Sequence, residues 1–155
     1  MKYNNILLVD DDLDDRMLFE QTLGEMGPGI GMYGVENGLE MMAWLDQRVD
    51  NELPDLIILD QNMPKMTGKE SLIFLKGSPR YKDIPVILYS TYQVKDFFLS
   101  CRELGALDVV SKPDTIQSYR DMIGGFIAGV VLTFLFRGNS GSVVSRLPAA
   151  GTARR

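Results

Sequence analysis

The sequence predicts an α/β protein: a five-stranded parallel sheet, doubly wound by helices on both faces. Three observations carry that prediction. Short apolar runs recur at residues 6–9, 56–59 and 84–89, with one interrupted by Asp108 at 107–110 and a weaker, glycine-diluted one at 30–35. Stretches with apolar residues at helical spacing alternate with these runs. Gly/Pro-rich or Asp/Asn-rich punctuation separates the two kinds of segment.

Residues 6–9 (ILLV) end on Asp10, Asp11 and Asp12. Leu13, Met17 and Leu18 follow among Asp14, Asp15, Arg16 and Glu20, an amphipathic pattern that predicts a first helix with those three residues on its apolar side. It stops in the Gly/Pro cluster of residues 24–31. Asn37-Gly38 opens a second helix, with Met41, Met42, Leu45 and Val49 at helical spacing. Residues 56–59 are apolar without interruption, the mark of a strand buried on both faces, and the run stops on Asp60. Gln61, Asn62 and Pro64 break any continuation, and a third helix is expected from Gly68 to Lys76. In the strand at 84–89, Pro85 is tolerable because it falls at the start; Ser90 and Thr91 close it. Val94, Phe97, Phe98 and Cys101 give the i, i+3, i+4, i+7 face of a fourth helix. After the strand at 107–110 come Ser111, Lys112 and Pro113. Ile116, Tyr119, Ile123, Phe126, Ile127 and Val130 then line a fifth helix.

The chain has 155 residues, 45% apolar and 24% charged, as expected of one globular domain with a core of its own. A net charge of −5 gives no reason to expect nucleic acid as a partner. Cys101 is the sole cysteine, so an internal disulfide is excluded; this fits a reducing, cytoplasmic setting. Four apolar residues before Asp10 are too few for a signal-peptide core. The absence of histidine excludes a Ser-His-Asp triad, a histidine-containing metal site and the role of phosphohistidine carrier. Residues 122–136 carry no charge and are apolar apart from Thr133, but are shorter than a membrane span of about 18–20 residues, and are read as a core helix with an apolar end. A domain over residues 1–130 is expected, with 131–155 forming the apolar helix end and a flexible Gly/Ser/Arg-rich tail.

In a parallel sheet the strand ends share one edge, where open α/β folds bind ligands. That edge would gather Asp10, Asp11, Asp60, Ser90 and Lys112. Three acids packed together repel one another and raise each other's pKa values unless a cation joins them. Oxygen donors alone suit a hard ion such as Mg²⁺, which also takes phosphate oxygens. Lysine and hydroxyl would hold a phosphoryl group on the ion's other side. Asp60 then becomes a nucleophile toward phosphorus, with its charge problem solved by metal and lysine.

With these residues in view, the chain resembles the response regulator receiver domain, the CheY-like family, from about residue 4 to 130. The matching segments are ILLVDDD, LIILDQNMP with Gly68 eight residues beyond the Asp, IPVILYST and GALDVVSKP. The resemblance implies a flavodoxin-like (βα)₅ sandwich, with Asp60 as phosphoacceptor and Asp10 and Asp11 as the acidic pair. Asp11 would be the more direct Mg²⁺ ligand, and Asn62 would offer its backbone carbonyl. Ser90 would turn its hydroxyl toward the phosphoryl group, Lys112 would pair with a phosphoryl oxygen, and the Lys112–Pro113 bond would be cis. Thr91 stands where the family often has Ala, and Tyr92 at a position that can gate access to the acyl phosphate. Val109 replaces the family's frequent aromatic switch residue, which puts the usual Ser–aromatic coupling in doubt.

The implied function is that of a phosphorylation-switched signalling receiver of a two-component phosphorelay. It would take its phosphoryl group from a histidine kinase or histidine phosphotransfer protein and present an altered surface, around its fourth helix and fifth strand, to a downstream protein. The chain is expected to be no enzyme beyond its own phosphorylation and dephosphorylation, not inserted in a membrane, and a monomer or weak phosphorylation-dependent dimer. The few residues after the last helix leave no room for a helix-turn-helix output domain, so a stand-alone receiver is expected. Two alternatives compete: a haloacid-dehalogenase-like hydrolase using Asp10 and Asp12 as its D-x-D, and a pseudo-receiver scaffold that is never phosphorylated. The G-x-G-x-x-G at residues 29–34 follows a helix rather than a strand, the wrong context for a dinucleotide fingerprint. Asp10, Asp12 and Asp14 begin like an EF-hand loop, but Asp15 and Gln21 stand where Gly and Glu are needed. Asp12 reads as a helix cap and Cys101 as a core residue.

Overall fold

The computed structural model describes residues 3–91 and 94–128 in full, and the backbone of 130–131 and 145–146. Strands β1 (Asn5–Val9), β2 (Gly31–Val35), β3 (Leu56–Asp60), β4 (Val86–Ser90) and β5 (Asp108–Ser111) alternate with helices α1 (Leu13–Met26), α2 (Gly38–Asp46), α3 (Gly68–Gly77), α4 (Lys95–Glu103) and α5 (Ile116–Ala128). All strand pairs in this sheet are parallel, in the order β2-β1-β3-β4-β5. This is the flavodoxin-like doubly wound order, whose switch point lies between β1 and β3 and leaves a crevice at their carboxyl ends.

The strand pleat sorts the core into two layers. Leu7, Val9, Ile57, Leu59, Val86 and Leu88 pack with Met41, Leu45, Leu72, Leu75 and Cys101 on the α2–α3–α4 side. Ile6, Leu8, Ile58, Ile87 and Tyr89 pack with Phe19, Leu23, Tyr119, Ile123 and Phe126 on the α1–α5 side. Every residue of β3 is buried, as its unbroken apolar run required. Helices α1, α2 and α3 begin on side-chain caps: Asp12 accepts from the Asp14 and Asp15 amides, Asn37 from Glu40, and Thr67 and Glu70 form a capping box.

Several helix faces differ from expectation. On α1 the buried residues are Phe19, Thr22 and Leu23, while Leu13 and Met17 are 57% and 58% exposed. Six residues separate Leu13 from Phe19 and Met17 from Leu23, which turns each pair about 120° apart around the helix. Val49 lies beyond the end of α2, Val94 is the residue before α4, and both are exposed. Ile116 is exposed at the first position of α5, while Tyr119, Ile123 and Phe126 are buried as expected. The apolar run at 122–136 does not stay helical: α5 stops at Ala128, and Val130–Val131 pair antiparallel with Ser145–Arg146. Among the described residues no helix is long and apolar enough to cross a membrane. The rest of the proposed tail, and Tyr92, lie outside the described residues.

Candidate functional site

The site is assembled by four consecutive-in-space strand ends. Asp10 follows β1 directly, and its N–H donates to the Val35 carbonyl at 3.0 Å, so β2 holds it on the edge of the sheet. Arg16 Nη1 donates to the Asp10 carbonyl at 2.6 Å. Asp60 ends β3, beside Tyr89 of β4 in the sheet register. Ser90 ends β4, opposite Ser111, and its carbonyl accepts from the Lys112 amide at 2.9 Å. Short loops then turn the chain away; Asp60 and Ser90 are the last residues of their strands, and Asp10 and Lys112 the first residues beyond theirs.

Asp10 and Asp60 are buried and Asp11 is exposed; oxygens of the three carboxylates lie within 4.8 Å of one another. This is the metal-competent acidic cluster of the described residues. Lys112 Nζ lies 3.2 Å from Asp10 Oδ2, 3.3 Å from Asp60 Oδ2 and 2.8 Å from Asp15 Oδ2. Asp60 Oδ1 accepts from the Asn62 amide at 3.3 Å, and Asp10 Oδ1 from the Asp12 amide at 2.9 Å. Asn62 Nδ2 donates to Thr91 Oγ1 at 3.2 Å, which ties the loop after β3 to the loop after β4.

The electrostatics follow from burial and crowding. Burial, and next the charge of Asp10, raise the Asp60 carboxyl to about 7, although Lys112 and the Asn62 amide pull it down. Burial disfavours the Lys112 ammonium, yet the hydrogen bond to Asp15 and the charges of Asp10 and Asp60 outweigh that and lift its pKa above the ordinary lysine value. The pocket therefore holds one permanent cation among too many acids, an imbalance that a bound divalent ion would correct.

Glycine at position 68 has a steric reason. A Cβ there would meet the Asp60 carbonyl oxygen at 2.5 Å and Gln61 Cα at 2.9 Å, so only glycine lets α3 start against the strand end. Its N–H donates to Gln61 O at 3.2 Å.

The residues read from the sequence therefore converge: Asp10, Asp11, Asp60 and Lys112 directly, Asn62 and Thr91 at the rim, Ser90 buried at the end of β4. Asp12 stands apart, its carboxylate committed to the α1 amides at 2.9 and 3.3 Å, which removes the D-x-D arrangement the hydrolase alternative needs. The Lys112–Pro113 bond, expected cis, is trans. The two isomers of an X–Pro bond differ by only about 0.5–1 kcal/mol, so the surrounding backbone decides between them. Val109 is buried on the α2–α3–α4 side, paired in register with Leu88, and is packed as an ordinary aliphatic core residue.

Three residues escaped the sequence reading. From the sequence, Asp15 belongs to the polar face of α1, Tyr89 to the strand core and Tyr119 to the helix core. Tyr89 OH donates to Asp10 Oδ2, and its ring lies 5.1 Å from Lys112 Nζ. Tyr119 OH donates to Asp15 Oδ1 at 3.1 Å. A tyrosine in an otherwise aliphatic strand, one residue before the strand end, was the available signal, because a buried phenol needs a partner.

A doubly wound sheet that brings three carboxylates and a lysine to its switch-point edge defines the architecture of a phosphorylatable signalling domain. The family model for the response regulator receiver domain matches residues 6–123, and the chain belongs to that family: it is a receiver domain of two-component signalling. It is 32% identical over 123 residues to "Response regulator Rcp1" of Synechocystis sp., covering 77% of this chain and 84% of that protein. The crystal structure of the phosphorylated cyanobacterial phytochrome response regulator RcpA superposes with a TM-score of 0.72 at 31% identity, covering 80% of this chain and 91% of the other. The Mn²⁺-bound form of Rcp1 gives a TM-score of 0.71 at 30% identity, over 81% and 92% of the two chains.

Proposed function

We propose that Asp60 is the phosphoacceptor of this receiver and that the observation carrying the proposal is the convergence of Asp10, Asp11 and Lys112 on its carboxylate. An Asp60 oxygen attacks the phosphorus of a phosphohistidine in a histidine kinase or histidine phosphotransfer protein. The O–P bond forms as the P–N bond breaks, and the departing imidazole nitrogen keeps the electron pair. Lys112 stands where it can shift from the Asp60 oxygen to a phosphoryl oxygen and neutralise its charge. Ser90, at the end of β4, supplies the hydroxyl for that group, and Thr91, bonded to Asn62, borders the entrance.

The donor set fits a hard divalent cation: oxygen atoms only, two buried carboxylates, and Asp11 open to solvent for a partly hydrated ion. Asp10, Asp11, Asp60 and the Asn62 carbonyl would hold Mg²⁺, which when bound offsets the charge of the transferring oxygens. The Mn²⁺-bound relative supports a divalent metal at such a site.

On this reading the functional unit spans residues 1–130, works in the cytoplasm, catalyses no reaction beyond its own phosphorylation and dephosphorylation, and passes its signal to a downstream protein as a monomer or weak phosphorylation-dependent dimer. Incubation with acetyl phosphate should label the native protein in Mg²⁺ and leave it unlabelled in excess chelator. Pull-downs with native and Asp60→Asn proteins would then separate partners that need the phosphoryl group from those that do not. Labelling of Asp60→Asn at the native rate would sink the proposal; equal partner binding by both forms would instead favour the scaffold reading.

A further inference from the structure

Lys112 is shared among three carboxylates, and the shortest of the contacts is not to the proposed phosphoacceptor. Its Nζ lies 2.8 Å from Asp15 Oδ2, against 3.2 Å to Asp10 and 3.3 Å to Asp60. The Asp15 side chain is 28% exposed and that of Lys112 13%, so water screens this pair only in part. Asp15 is itself fixed. Its other oxygen, Oδ1, accepts from the Tyr119 hydroxyl at 3.1 Å, and Tyr119 is anchored in the core between α1 and α5. Burial, then the charge of Asp15, raise the Tyr119 pKa above the ordinary tyrosine value, so the phenol keeps its proton and remains a donor. A chain of two contacts thus runs from α5 through the first turn of α1 to the lysine at the end of β5.

We propose that Asp15, held by Tyr119, is a positioning residue that latches Lys112 in the unphosphorylated state and thereby slows phosphoryl transfer to Asp60. The proposal rests on the reading of Asp60 as phosphoacceptor. An interaction made in the ground state and weakened as the lysine follows the phosphoryl group raises the barrier by what is lost. Asp15 cannot travel with the lysine, because the hydroxyl of the buried Tyr119 holds its second oxygen. The same tether makes the α1–α5 seam sensitive to the site, on the face of the sheet opposite Val109.

The test compares phosphorylation rates with acetyl phosphate in Mg²⁺ for the native protein, Asp15→Asn and Tyr119→Phe, each alone and in a Lys112→Met background, with melting temperatures measured in parallel. Loss of one charge-assisted contact corresponds to a rate increase of about three- to tenfold for Asp15→Asn. Tyr119→Phe, which keeps the buried ring and loosens Asp15 without removing it, should give a smaller increase of about twofold. Both increases should vanish when Lys112 is Met. An unchanged or lower rate in Asp15→Asn with a native-like melting temperature overturns the proposal. So does an equal increase in the Lys112→Met background, which would mean that Asp15 merely repels the anionic donor. Should Asp15→Asn fail to fold, an unchanged rate in Tyr119→Phe overturns it alone. An Asp60→Asn control that still takes label would instead overturn the phosphoacceptor reading on which the latch depends.

Discussion

Tyr89 and Asp10 meet at the back of the acidic pocket: the phenol of β4 donates its hydrogen to the carboxylate oxygen, Oδ2, that Lys112 also contacts. The pocket thus has a polar wall on the α1–α5 side of the sheet, opposite the side on which Val109 is packed.

Removing that wall should be measurable. Tyr89→Phe leaves a buried carboxylate oxygen short of one donor, and a native-like protein destabilised by about 1–3 kcal/mol is expected. Mg²⁺ should restore part of the loss, because an Asp10 oxygen freed of the Tyr89 phenol is a stronger ligand and the variant then binds the ion more tightly than the native protein. Denaturant unfolding of both proteins with and without Mg²⁺ measures this; an equal gap between them in the two conditions would contradict the expected tighter binding by the variant.

The raised Asp60 pKa sets a pH dependence. In the unfolded chain this carboxyl ionises near 3.8, whereas in the fold it keeps its proton to about 7. Between those values the unfolded state holds fewer protons, so this group's contribution to stability falls as pH rises through that window in metal-free protein. Metal binding needs the carboxylate. The apparent Mg²⁺ affinity should weaken by up to about tenfold per pH unit below 7 and level off above it. Titration by calorimetry at several pH values reads this directly, and a flat profile between pH 5 and 7 would contradict it.

Gly68→Ala forces a methyl group toward the Asp60 carbonyl, 2.5 Å from an ideal Cβ. The strand end or the start of α3 must move, at a cost of about 1–3 kcal/mol. Because the displaced backbone carries Asp60, phosphorylation should slow along with the loss of stability. Gly77→Ala, with nothing within 4 Å of its Cβ, serves as the comparison and should change neither much.

Asp12→Ala removes the α1 cap and should cost about 1 kcal/mol while leaving aspartyl phosphate formation at Asp60 intact. A hydrolase built on Asp10 and Asp12 would instead lose its acid–base residue, so abolished phosphoryl chemistry in this variant would revive that alternative.

The strand ends were legible because buried parallel strands are continuous apolar runs and their final residues must point into the switch-point crevice. Asp10, Asp60 and Lys112 each fit a bland local role, and became legible once the strand ends were taken together. The face of α1 was not legible in the same way. Leu13 and Met17 are apolar but exposed, and Thr22 is polar but buried because its hydroxyl bonds the Leu18 carbonyl at 2.7 Å, one turn back. Hydrophobicity alone misassigns such residues. Asp15, Tyr89 and Tyr119 were hidden for a related reason: each fits a bland local pattern, and only the approach of β4, α1 and α5 in space makes them neighbours of Lys112. The cis Lys112–Pro113 bond expected from resemblance is trans in the structure, at a bond whose isomers are nearly balanced.

The most direct test of the central claim is to trap the aspartyl phosphate formed with acetyl phosphate and Mg²⁺ by borohydride reduction and map the modified residue by peptide mass spectrometry. Modification at Asp60, absent when Mg²⁺ is chelated, is the expected result. Modification at Asp10 or Asp11 with Asp60 unaltered would contradict it.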